Sequence, residues 1–392
     1  MSSDRPRQAD RGGHARAVLP GPRRARLVRA WRKGLPAPWD ALLAPAVLAY
    51  RGGLALRRAV YACGLRRTRS LPCRVVAVGN LTVGGTGKTP LVELVVRELA
   101  ARGRRVVVLS RGYGRRGGEP VDAVSDGAGL LLTAREVGDE PFLLARRLLD
   151  VPGGVPVVVG RDRFRAGLWA MARFHPDSFV LDDGFQHLRL RKDVEVVCLD
   201  ARAPWGRGGL LPRGSLREPP TALRRAHLLV LTHAAACPDL AALEAELGRT
   251  APGAPVARAS YVVEEVSDLA SGTRQSLEAL RSRPVLAFAG IAVPENFAGT
   301  LAALGVTPRE FVAFPDHHAY DAADLRALET RARDGGAEVL VTTEKDAVRL
   351  SPSATMPVWA VAVRLALRDE HGAWLAALYA RLGIPGAPRE GG

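Results

Sequence analysis

The sequence predicts an α/β fold in which helices cover both faces of a mostly parallel sheet, with a second, smaller α/β domain. Short runs of β-branched residues alternate with helical segments, which is typical of strands buried on both faces. The length of 392 residues favours two domains, and a hydrophobic content of 47% is enough for a core in each. The same composition excludes a wholly disordered, collagenous or disulfide-scaffold protein.

The elements of the first domain follow this alternation. A buried strand at 74–79 leads through a glycine-rich turn into a helix at 89–102. Further strands are expected at 105–110, 155–160, 178–181, 194–199 and 228–231, with a helix at 163–174. Continuous apolar runs of this kind predict parallel strands.

The pattern changes after the Pro-rich and Gly-rich residues 251–255. Residues 256–266 alternate as in an antiparallel strand, and Gly272 suits the turn of a hairpin. A second α/β unit begins with a strand at 284–290 and continues with one at 338–343. We therefore expect a disordered basic extension at 1–38, a helical segment at 39–68, a first domain at 69–254, a two-stranded linker at 255–283 and a smaller domain at 284–392.

The net charge of +16 lies mostly at the N-terminal end. Residues 1–74 hold 17 lysines and arginines and three acidic residues, so the rest of the chain is close to neutral. A cationic arm of this kind binds a polyanion, either nucleic acid or an anionic membrane surface. Apart from Trp31, residues 1–38 lack aromatic side chains that could stack on bases.

The segment at 39–65 differs from the arm that precedes it. Its apolar run before Arg51 is too short to span a bilayer, which needs about 20 residues. Apolar positions edged by Trp39, Tyr50 and Tyr61 favour a helix that lies at a membrane interface. The alternative is an amphipathic helix packed on the protein's own core.

The cysteines form no C-x-x-C pair and no metal-binding spacing. Free and mostly buried thiols in a reducing compartment are therefore expected. The residues concerned are Cys63, Cys73, Cys198 and Cys237.

The strongest functional signal is the segment Gly79-Asn-Leu-Thr-Val-Gly-Gly-Thr-Gly-Lys-Thr-Pro90 between a strand and a helix. Its glycines let backbone N–H groups surround phosphate oxygens, and the helix N-terminus adds partial positive charge. This context predicts a phosphate loop, and hence a domain of the P-loop NTPase type. The residues expected to bind nucleotide are Thr82, Val83, Gly84, Gly85, Thr86, Gly87, Lys88 and Thr89.

Two of these residues have individual roles. Lys88 is expected to reach the β- and γ-phosphates of ATP, and the Thr89 hydroxyl to ligate Mg²⁺. Lys88 is one of four lysines in a chain with 56 lysines and arginines, which indicates that a compact ammonium is needed there. Thr82 departs from the usual pattern, which has Gly at that position.

A second strand ends in two acids. Residues 178–181 are apolar after Ser178, and Asp182 and Asp183 follow directly. Either carboxylate could hold Mg²⁺ or its waters, as the acid of a phosphate-loop protein does. Adjacent acids at a strand end also occur in Asx turns without any metal.

The chain resembles the lipid A 4′-kinase family, the tetraacyldisaccharide 4′-kinases. The matching segments occur in the order of the family, from residue 39 to about residue 350, and the family shares Thr82. Asp-Asp-Gly-Phe-Gln-His and Thr-Thr-Glu-Lys-Asp-Ala are the most specific strings among them. The segments are residues 78–90, 110–115, 137–142, 181–187, 216–219, 288–292, 314–320 and 342–347.

The resemblance implies a kinase at the cytoplasmic face of the bacterial inner membrane. It would transfer the γ-phosphate of ATP, with Mg²⁺, to the 4′-hydroxyl of a tetraacylated glucosamine disaccharide 1-phosphate. The product would be the bis-phosphorylated lipid A precursor. The cationic arm and the interfacial helix agree with a substrate that is acylated and anionic, and no nucleic acid is expected as a partner.

The resemblance also assigns a catalytic base and its partner. It implies that Asp139 accepts the hydroxyl proton, with Glu140 beside it, although acids also favour a helix N-terminus without any catalytic role. It implies that a histidine of the Asp-His-His string pairs with this aspartate across a cleft between domains. A histidine that donates to a carboxylate orients it. Of the two, we favour His317 over His318.

The remaining residues of the matching strings are assigned to substrate. Arginines suit bidentate contact with phosphate, so the loop with Arg111, Tyr113, Arg115 and Arg116 is expected to hold the 1-phosphate. Arg217 and Glu218 are expected to contact substrate, with Mg²⁺ as the alternative for Glu218. Lys345 either lies near nucleotide or pairs with Glu344 or Asp346.

Two other functions compete with this one. A nucleic-acid-dependent ATPase would use the basic arm to bind DNA or RNA, but the nearly neutral body offers no second basic face. A GTPase switch would carry an Asn-Lys-x-Asp string, which the sequence lacks.

Overall fold

The computed structural model describes residues 37–113, 115, 119–206, 209–350, 354–369 and 372–385, with side chains from residue 41 onward. Arg116 and nearly all of the predicted extension at 1–38 lie outside these ranges. The described chain forms two compact units, a larger one of residues 37–265 and 362–385 and a smaller one of residues 266–361.

The larger unit is built on a sheet in which only the edge pair is antiparallel. Its strands lie in the order β8-β7-β6-β1-β5-β2-β4-β3, and β3 runs opposite to β4. The strands are β1 (Arg74–Gly79), β2 (Val106–Ser110), β3 (Val121–Ser125), β4 (Val157–Gly160), β5 (Ser178–Asp182), β6 (Val194–Asp200), β7 (Leu228–Thr232) and β8 (Val256–Asp268).

Helices cover both faces of this sheet, as the sequence predicts. Val76 and Val78 of β1 face the helix after the phosphate loop, whereas Val75 and Ala77 face the helix after β4. The helices of the larger unit up to β8 are α1 (Ala37–Ala62), α2 (Lys88–Ala101), α3 (Ala134–Val137), α4 (Asp139–Arg147), α5 (Arg163–Phe174) and α6 (Leu240–Thr250).

Four strands that lie wholly or partly in the smaller unit pair in parallel, in the order β11-β10-β12-β13. The end of β8 forms the predicted hairpin with β9, and Gly272 occupies the turn with φ 68°. The elements are β9 (Arg274–Gln275), α7 (Leu277–Ser282), β10 (Val285–Ala289), α8 (Pro294–Ala303), β11 (Glu310–Ala313), α9 (Ala322–Asp334), β12 (Val339–Thr343), α10 (Glu344–Ala347) and β13 (Val358–Arg368).

The structure differs from the sequence-based expectation in the direction of β8. Its first residues pair in parallel with β7, with Val256 opposite Leu229, and only its end is antiparallel, to β9. The alternating pattern reports that the strand is half-buried, because alternation follows the side-chain period of any strand and carries no information on its direction.

The end of the chain returns to the larger unit. The last helix, α11 (Ala373–Leu382), buries Trp374, whose indole N–H donates to the carbonyl of Leu229 at 2.9 Å. The Tyr379 hydroxyl donates to Glu98 Oε2 at 2.7 Å. These contacts assign residues 362–385 to the larger unit, whereas the sequence places them with the smaller domain.

Helix α1 has two different faces. Residues at helical spacing are partly buried on the larger unit, among them Leu43, Val47 and Tyr50. Leu42, Leu48 and Leu56 are exposed by 67%, 68% and 66%. No helix in the described ranges is long and apolar enough to cross a bilayer. The helix therefore both packs on its own domain, as the alternative held, and presents an apolar face to the outside.

The thiols differ in exposure. Cys198 is buried, Cys73 and Cys237 are partly buried, and Cys63, directly after α1, is exposed. None of the four forms a disulfide, as expected.

Candidate active site

The phosphate loop runs from the end of β1 to the first turn of α2. Positive φ angles occur at Gly84 (122°) and Gly87 (95°), where a residue with a side chain would be strained. Thr82 needs no such freedom, because it forms a bridge with Leu216 and has a negative φ. This explains why the glycine of the usual pattern is not required at that position.

The interior of the loop is held by hydrogen bonds from several strands. The Asn80 amide donates to Thr86 Oγ1 at 2.8 Å. The Thr86 carbonyl accepts from Thr232 Oγ1 at 3.2 Å and from Cys198 Sγ at 2.9 Å. The Tyr261 hydroxyl fills the space that a side chain at Gly87 would need. The loop is therefore fixed in shape before any ligand binds.

The lysine of the loop faces an acid at the end of β5. Lys88 Nζ lies 3.7 Å from Asp183 Oδ1. Both Asp183 oxygens also accept from Arg217, at 2.8 Å each. Burial alone would raise the pKa of Asp183, but Lys88 and Arg217 hold it below the usual value. β1 and β5 are neighbours in register, which brings the two motifs together.

The second acid, Asp182, is in a different state. Its side chain is buried, and its Oδ2 accepts from Ser110 Oγ at 3.0 Å. Burial, followed by the charges of Glu140 and Asp183, raises its pKa from 3.8 to about 6. The carboxylates of Asp182, Asp183 and Glu140 thus lie near one another. The positive charge of Lys88 is too small to offset the effect of burial and of the two other acids on the pKa of Asp182.

The N-terminus of α4 completes this acidic group. Asp139 and Glu140 are its first two residues, and the charge of Glu140 acts on both Asp182 and Asp183. Gly138 has φ 95°, and its Cα packs so closely on the Tyr113 carbonyl that no side chain would fit. The predicted base and the loop after β2 are therefore close to each other and to the β5 acids.

Arginines surround the acids, and the sequence singled out only some of them. Arg163, at the start of α5, is 4% exposed, and its Nε has no hydrogen-bond partner among the described residues. Burial lowers its pKa, while Asp182 opposes that effect and the charge of Arg111 adds to it. Its position directly after a strand next to β2 was the signal that could have revealed it.

The side chains of the loop after β2 differ in exposure and in their contacts. Tyr113 is 52% exposed. Arg115 pairs with Asp122 and donates to the Glu119 carbonyl, so it is engaged within its own loop. Its role in substrate binding stays a prediction.

The Leu-Arg-Glu-Pro string supports the phosphate loop from one side. The Arg217 N–H donates to the Leu81 carbonyl at 2.7 Å, and Val83 N–H donates to the Ser215 carbonyl at 2.8 Å. Glu218 is buried and accepts from Arg225 at 2.7 Å and also from Arg58. Burial would raise the pKa of Glu218, but the two arginines hold it below the usual value.

In the smaller unit, the two histidines of the Asp-His-His string have different surroundings. His318 Nε2 lies 2.7 Å from Asp324 Oδ2, and its ring packs against Phe314 and Tyr320. His317 has φ 58°, and its side chain is 37% exposed. His318 is thus engaged inside its unit, and the choice of His317 over His318 stays a prediction.

The Thr-Thr-Glu-Lys-Asp-Ala string has a structural role in this unit. Asp346 is fully buried and accepts from the Gly290 N–H at 3.0 Å and the Tyr320 hydroxyl at 3.0 Å. Lys345 Nζ lies 4.0 Å from Asp316 Oδ1, a partner that differs from both of its expected neighbours. Asp346 therefore ties the loops after β10, β11 and β12 together.

The acids at the end of β5 fit a magnesium ion. Asp182, Asp183 and the Thr89 hydroxyl offer the oxygen ligands that Mg²⁺ prefers. Burial and the charges of Glu140 and Asp183 outweigh the charge of Lys88 and raise the pKa of Asp182, so further positive charge would stabilise its ionised form. A divalent ion carried with the phosphates of a nucleotide would supply that charge.

A strand, a glycine-rich loop and a helix N-terminus with a lysine that faces a strand-end acid define a P-loop nucleotide-binding protein. The profile of one family, Tetraacyldisaccharide-1-P 4'-kinase, matches residues 39–382. The chain belongs to the tetraacyldisaccharide-1-P 4′-kinase family. The resemblance inferred from the sequence strings is thereby confirmed.

Individual relatives agree with this assignment. The chain is 44% identical over 359 residues to the tetraacyldisaccharide 4′-kinase of Syntrophus aciditrophicus, covering 89% of this chain and 92% of the relative. It is 47% identical over 329 residues to that of Anaeromyxobacter dehalogenans strain 2CP-C, covering 82% and 85%. A solved structure of LpxK from Aquifex aeolicus in complex with ATP has a TM-score of 0.69 and 31% identity, covering 88% of this chain and 99% of that one.

Proposed function

We propose that this protein transfers the γ-phosphate of ATP to the 4′-hydroxyl of a tetraacylated glucosamine disaccharide 1-phosphate, an intermediate of lipid A biosynthesis. The observation that carries the proposal is the Lys88–Asp183 pair at 3.7 Å, located where the phosphate loop meets the end of β5. Family membership supplies the acceptor, since the relatives are named for it.

In this proposal the loop binds the phosphates of ATP. Backbone N–H groups of the loop surround the phosphate oxygens, apart from that of Val83, which donates to Ser215, and the N-terminus of α2 adds its partial positive charge. Lys88 neutralises charge on the phosphoryl group during transfer. Thr89, Asp182 and Asp183 would hold the Mg²⁺ ion, which would supply positive charge to offset the charge of the phosphates.

Asp139 is proposed as the base for the 4′-hydroxyl, with Glu140 beside it. Its place at the start of α4, next to the acids of β5, supports this role. His317 is proposed to donate to Asp139 and orient it. The two residues belong to different units, so the pairing needs a functional test.

The proposed acceptor carries a 1-phosphate, so we expect positively charged side chains at its binding site near the loop after β2. Arg111 and Tyr113 are proposed to bind the 1-phosphate, and Arg115 is included only as predicted from sequence. Arg163 adds a buried guanidinium whose charge acts on both Arg111 and Asp182. Buried arginines are suited to phosphate because their fork of donors is rigid and always charged.

The acyl chains call for contact with a membrane, and the exposed face of α1 suits an anionic bilayer. Leu48 and Leu56 on that face are 68% and 66% exposed. Arg51 is exposed on the same helix, and Arg66 and Arg67 are exposed just after it. Apolar area and cationic side chains together give interfacial binding. We place the protein peripherally, at the cytoplasmic face of the bacterial inner membrane.

The decisive experiment is a phosphorylation assay in detergent micelles with ATP, Mg²⁺ and a tetraacylated disaccharide 1-phosphate. Product with a new phosphate on the 4′-oxygen, identified by mass spectrometry and NMR, is expected. The control is an acceptor that already carries a 4′-phosphate, which should give no product. Failure of well-folded protein to phosphorylate the free acceptor would refute the proposal. None of the relatives reported above supports the alternative of a nucleic-acid-dependent ATPase.

A further inference from the structure

Helix α1 contacts the catalytic segments directly, in addition to its exposed apolar face. The Tyr50 hydroxyl donates to the Arg217 carbonyl at 2.8 Å. Arg57 donates to the Gln186 carbonyl at 3.0 Å, and Arg58 pairs with Glu218. The helix thus reaches the two strings that follow β5 and precede β7, rather than a remote part of the domain.

Each of these contacts continues to the phosphate loop in one or two further steps. Arg217 holds both oxygens of Asp183, and its N–H donates to the Leu81 carbonyl. The Gln186 amide donates to the Asn80 carbonyl at 2.9 Å, and Asn80 in turn donates to Thr86. A displacement of α1 would therefore disturb the groups that set the position of Asp183 and the shape of the loop.

The pair of Arg58 and Glu218 joins a partly exposed arginine, whose side chain is 38% exposed, to a buried carboxylate. The Glu218 side chain is 6% exposed, and its second partner is Arg225, whose guanidinium lies 3.7 Å above the centre of the Phe185 ring. Loss of Arg58 would leave the buried Glu218 carboxylate with Arg225 and one positive charge fewer beside it, so we expect the group to rearrange. Phe185 lies in the string that contains Asp182 and Asp183, so such a rearrangement would reach the catalytic acids.

We propose that Tyr50 and Arg58 are positioning residues for phosphoryl transfer, and that α1 is part of the active-site structure as well as a membrane anchor. The turnover of bound substrate would then depend on how α1 is seated against residues 217 and 218. This inference rests on the proposed kinase activity. It differs from anchoring alone because an anchor changes access to the lipid, whereas a positioning residue changes kcat.

The test compares four variants in detergent micelles at saturating acceptor, where binding to a surface does not limit the rate. Tyr50→Phe removes only the hydroxyl, and Arg58→Ala removes the ion pair. Arg58→Lys restores the charge, and Arg66→Ala removes one exposed positive charge just after the helix. For each variant, kcat, both KM values, thermal unfolding and binding to anionic vesicles are measured.

We expect kcat to fall about 10-fold or more in Arg58→Ala, as is usual when a supporting partner of a functional group is lost, and less in Tyr50→Phe. Arg58→Lys should recover part of the loss. Arg66→Ala should lose about fivefold in vesicle binding and should lower kcat far less than Arg58→Ala does. Should Arg58→Ala fail to fold, Tyr50→Phe and Arg58→Lys decide the question.

Unchanged kcat in Tyr50→Phe and Arg58→Ala, with only the acceptor KM raised, would overturn the inference and leave α1 as an anchor. An equal loss of kcat in Arg66→Ala would also overturn it, because the effect would then come from charge in general. Wild-type protein without any kinase activity would instead refute the proposed function itself, so the two failures are distinguishable.

Discussion

Asp182 and Asp183 are adjacent carboxylates whose pKa values are shifted in opposite directions. Asp182 is buried against Ser110 and beside other acids, whereas Asp183 faces Lys88 and Arg217. The ionised form of Asp182 costs the folded protein free energy, because the carboxylate is buried and lies near the charges of Glu140 and Asp183. Sites that prepare for a ligand in this way are commonly less stable than they could be.

This contrast predicts opposite effects of removing the two charges. The folded pKa of Asp182 is about 6 against an ordinary 3.8, so ionisation destabilises the fold progressively as the pH rises from about 4 to 6. Asp182→Asn should therefore raise the free energy of unfolding above pH 6 by up to about 3 kcal/mol, with no gain near pH 4. Chemical denaturation at several pH values, without Mg²⁺ or nucleotide, measures it.

Asp183→Asn is the matched comparison. The pKa of Asp183 is lowered, so its charge stabilises the fold at neutral pH, and that stability is lost as the pH falls through the folded pKa. The variant should be less stable than the wild type at pH 7.5. Asn tolerates the φ of 53° at this position, so backbone strain does not confuse the result. If both variants changed stability in the same direction, the electrostatic account would be wrong.

Lys88→Ala should lose most of the catalytic rate. The phosphoryl group would no longer have a compact positive charge beside it, and loss of one such group typically costs about 10²–10³-fold. The fold should survive, because the hydrogen bonds within the loop run through Asn80, Thr86 and Thr232. Steady-state kinetics with a thermal unfolding control measures this, and near-normal turnover would contradict the loop assignment.

Among individual residues, those that lie in contiguous strings could be singled out from the sequence, whereas isolated residues could not. The loop at 79–90 and the acids at 182–183 carry their chemistry in adjacent positions, so the pattern alone indicates them. Arg163 is important because it is buried beside acids from another strand, and burial next to a distant segment has no local signature. Glu218 was singled out because it belongs to a matching string, but its partners Arg58 and Arg225 lie outside that string.

Helix α1 is the element for which we propose a different role for each of its two faces. One face packs on the larger unit, as the alternative expectation held, and the other exposes leucines, whose contact with a membrane stays a prediction. The direction of β8 and the return of α11 to the first domain could not be predicted, because both depend on which distant element is the neighbour. Periodicity gives the burial of an element and leaves its partner open.

The exposed leucines give a prediction for this element. Leu48→Gln combined with Leu56→Gln should weaken binding to anionic vesicles at least tenfold, because each leucine contributes up to about 1.5–3 kcal/mol of apolar burial. Stability should change little, since both side chains are mostly exposed. Vesicle flotation is the measurement.

The control makes a Leu-to-Gln change on a different helix. Leu168 on α5 is 47% exposed in the same unit, so Leu168→Gln removes a comparable apolar side chain away from α1. Equal losses of vesicle binding in the control and in the α1 variant would show that another surface binds the membrane.

On the scale of the whole molecule, the residues of the proposed catalytic pair, Asp139 and His317, belong to different units. Asp139→Asn keeps the size of the side chain but cannot accept the hydroxyl proton, and His317→Ala removes the orienting donor. If the two act together, the double variant should be little slower than the slower single variant. ATP binding should survive in all three. Pre-steady-state measurement of the chemical step gives the required rates.

His318→Ala is the control for this cycle. Its ring is engaged by Asp324 and two aromatic side chains, so its loss should lower stability more than the chemical step. Fully additive losses for Asp139 and His317 would leave Asp139 to act alone. A large loss in the chemical step at His318 with none at His317 would mean that the neighbouring residue is the partner.

The unequal exposure of the thiols makes the natural protein suitable for site-selective labelling. Cys63 is exposed directly after α1, whereas burial raises the pKa of Cys198 to about 12 and raises that of Cys73. Because the thiolate is the reactive form, a maleimide reagent at neutral pH should modify Cys63 first. A polarity-sensitive dye attached there would lie at the edge of the helix and report, without any engineered cysteine, how the wild-type chain meets a lipid surface.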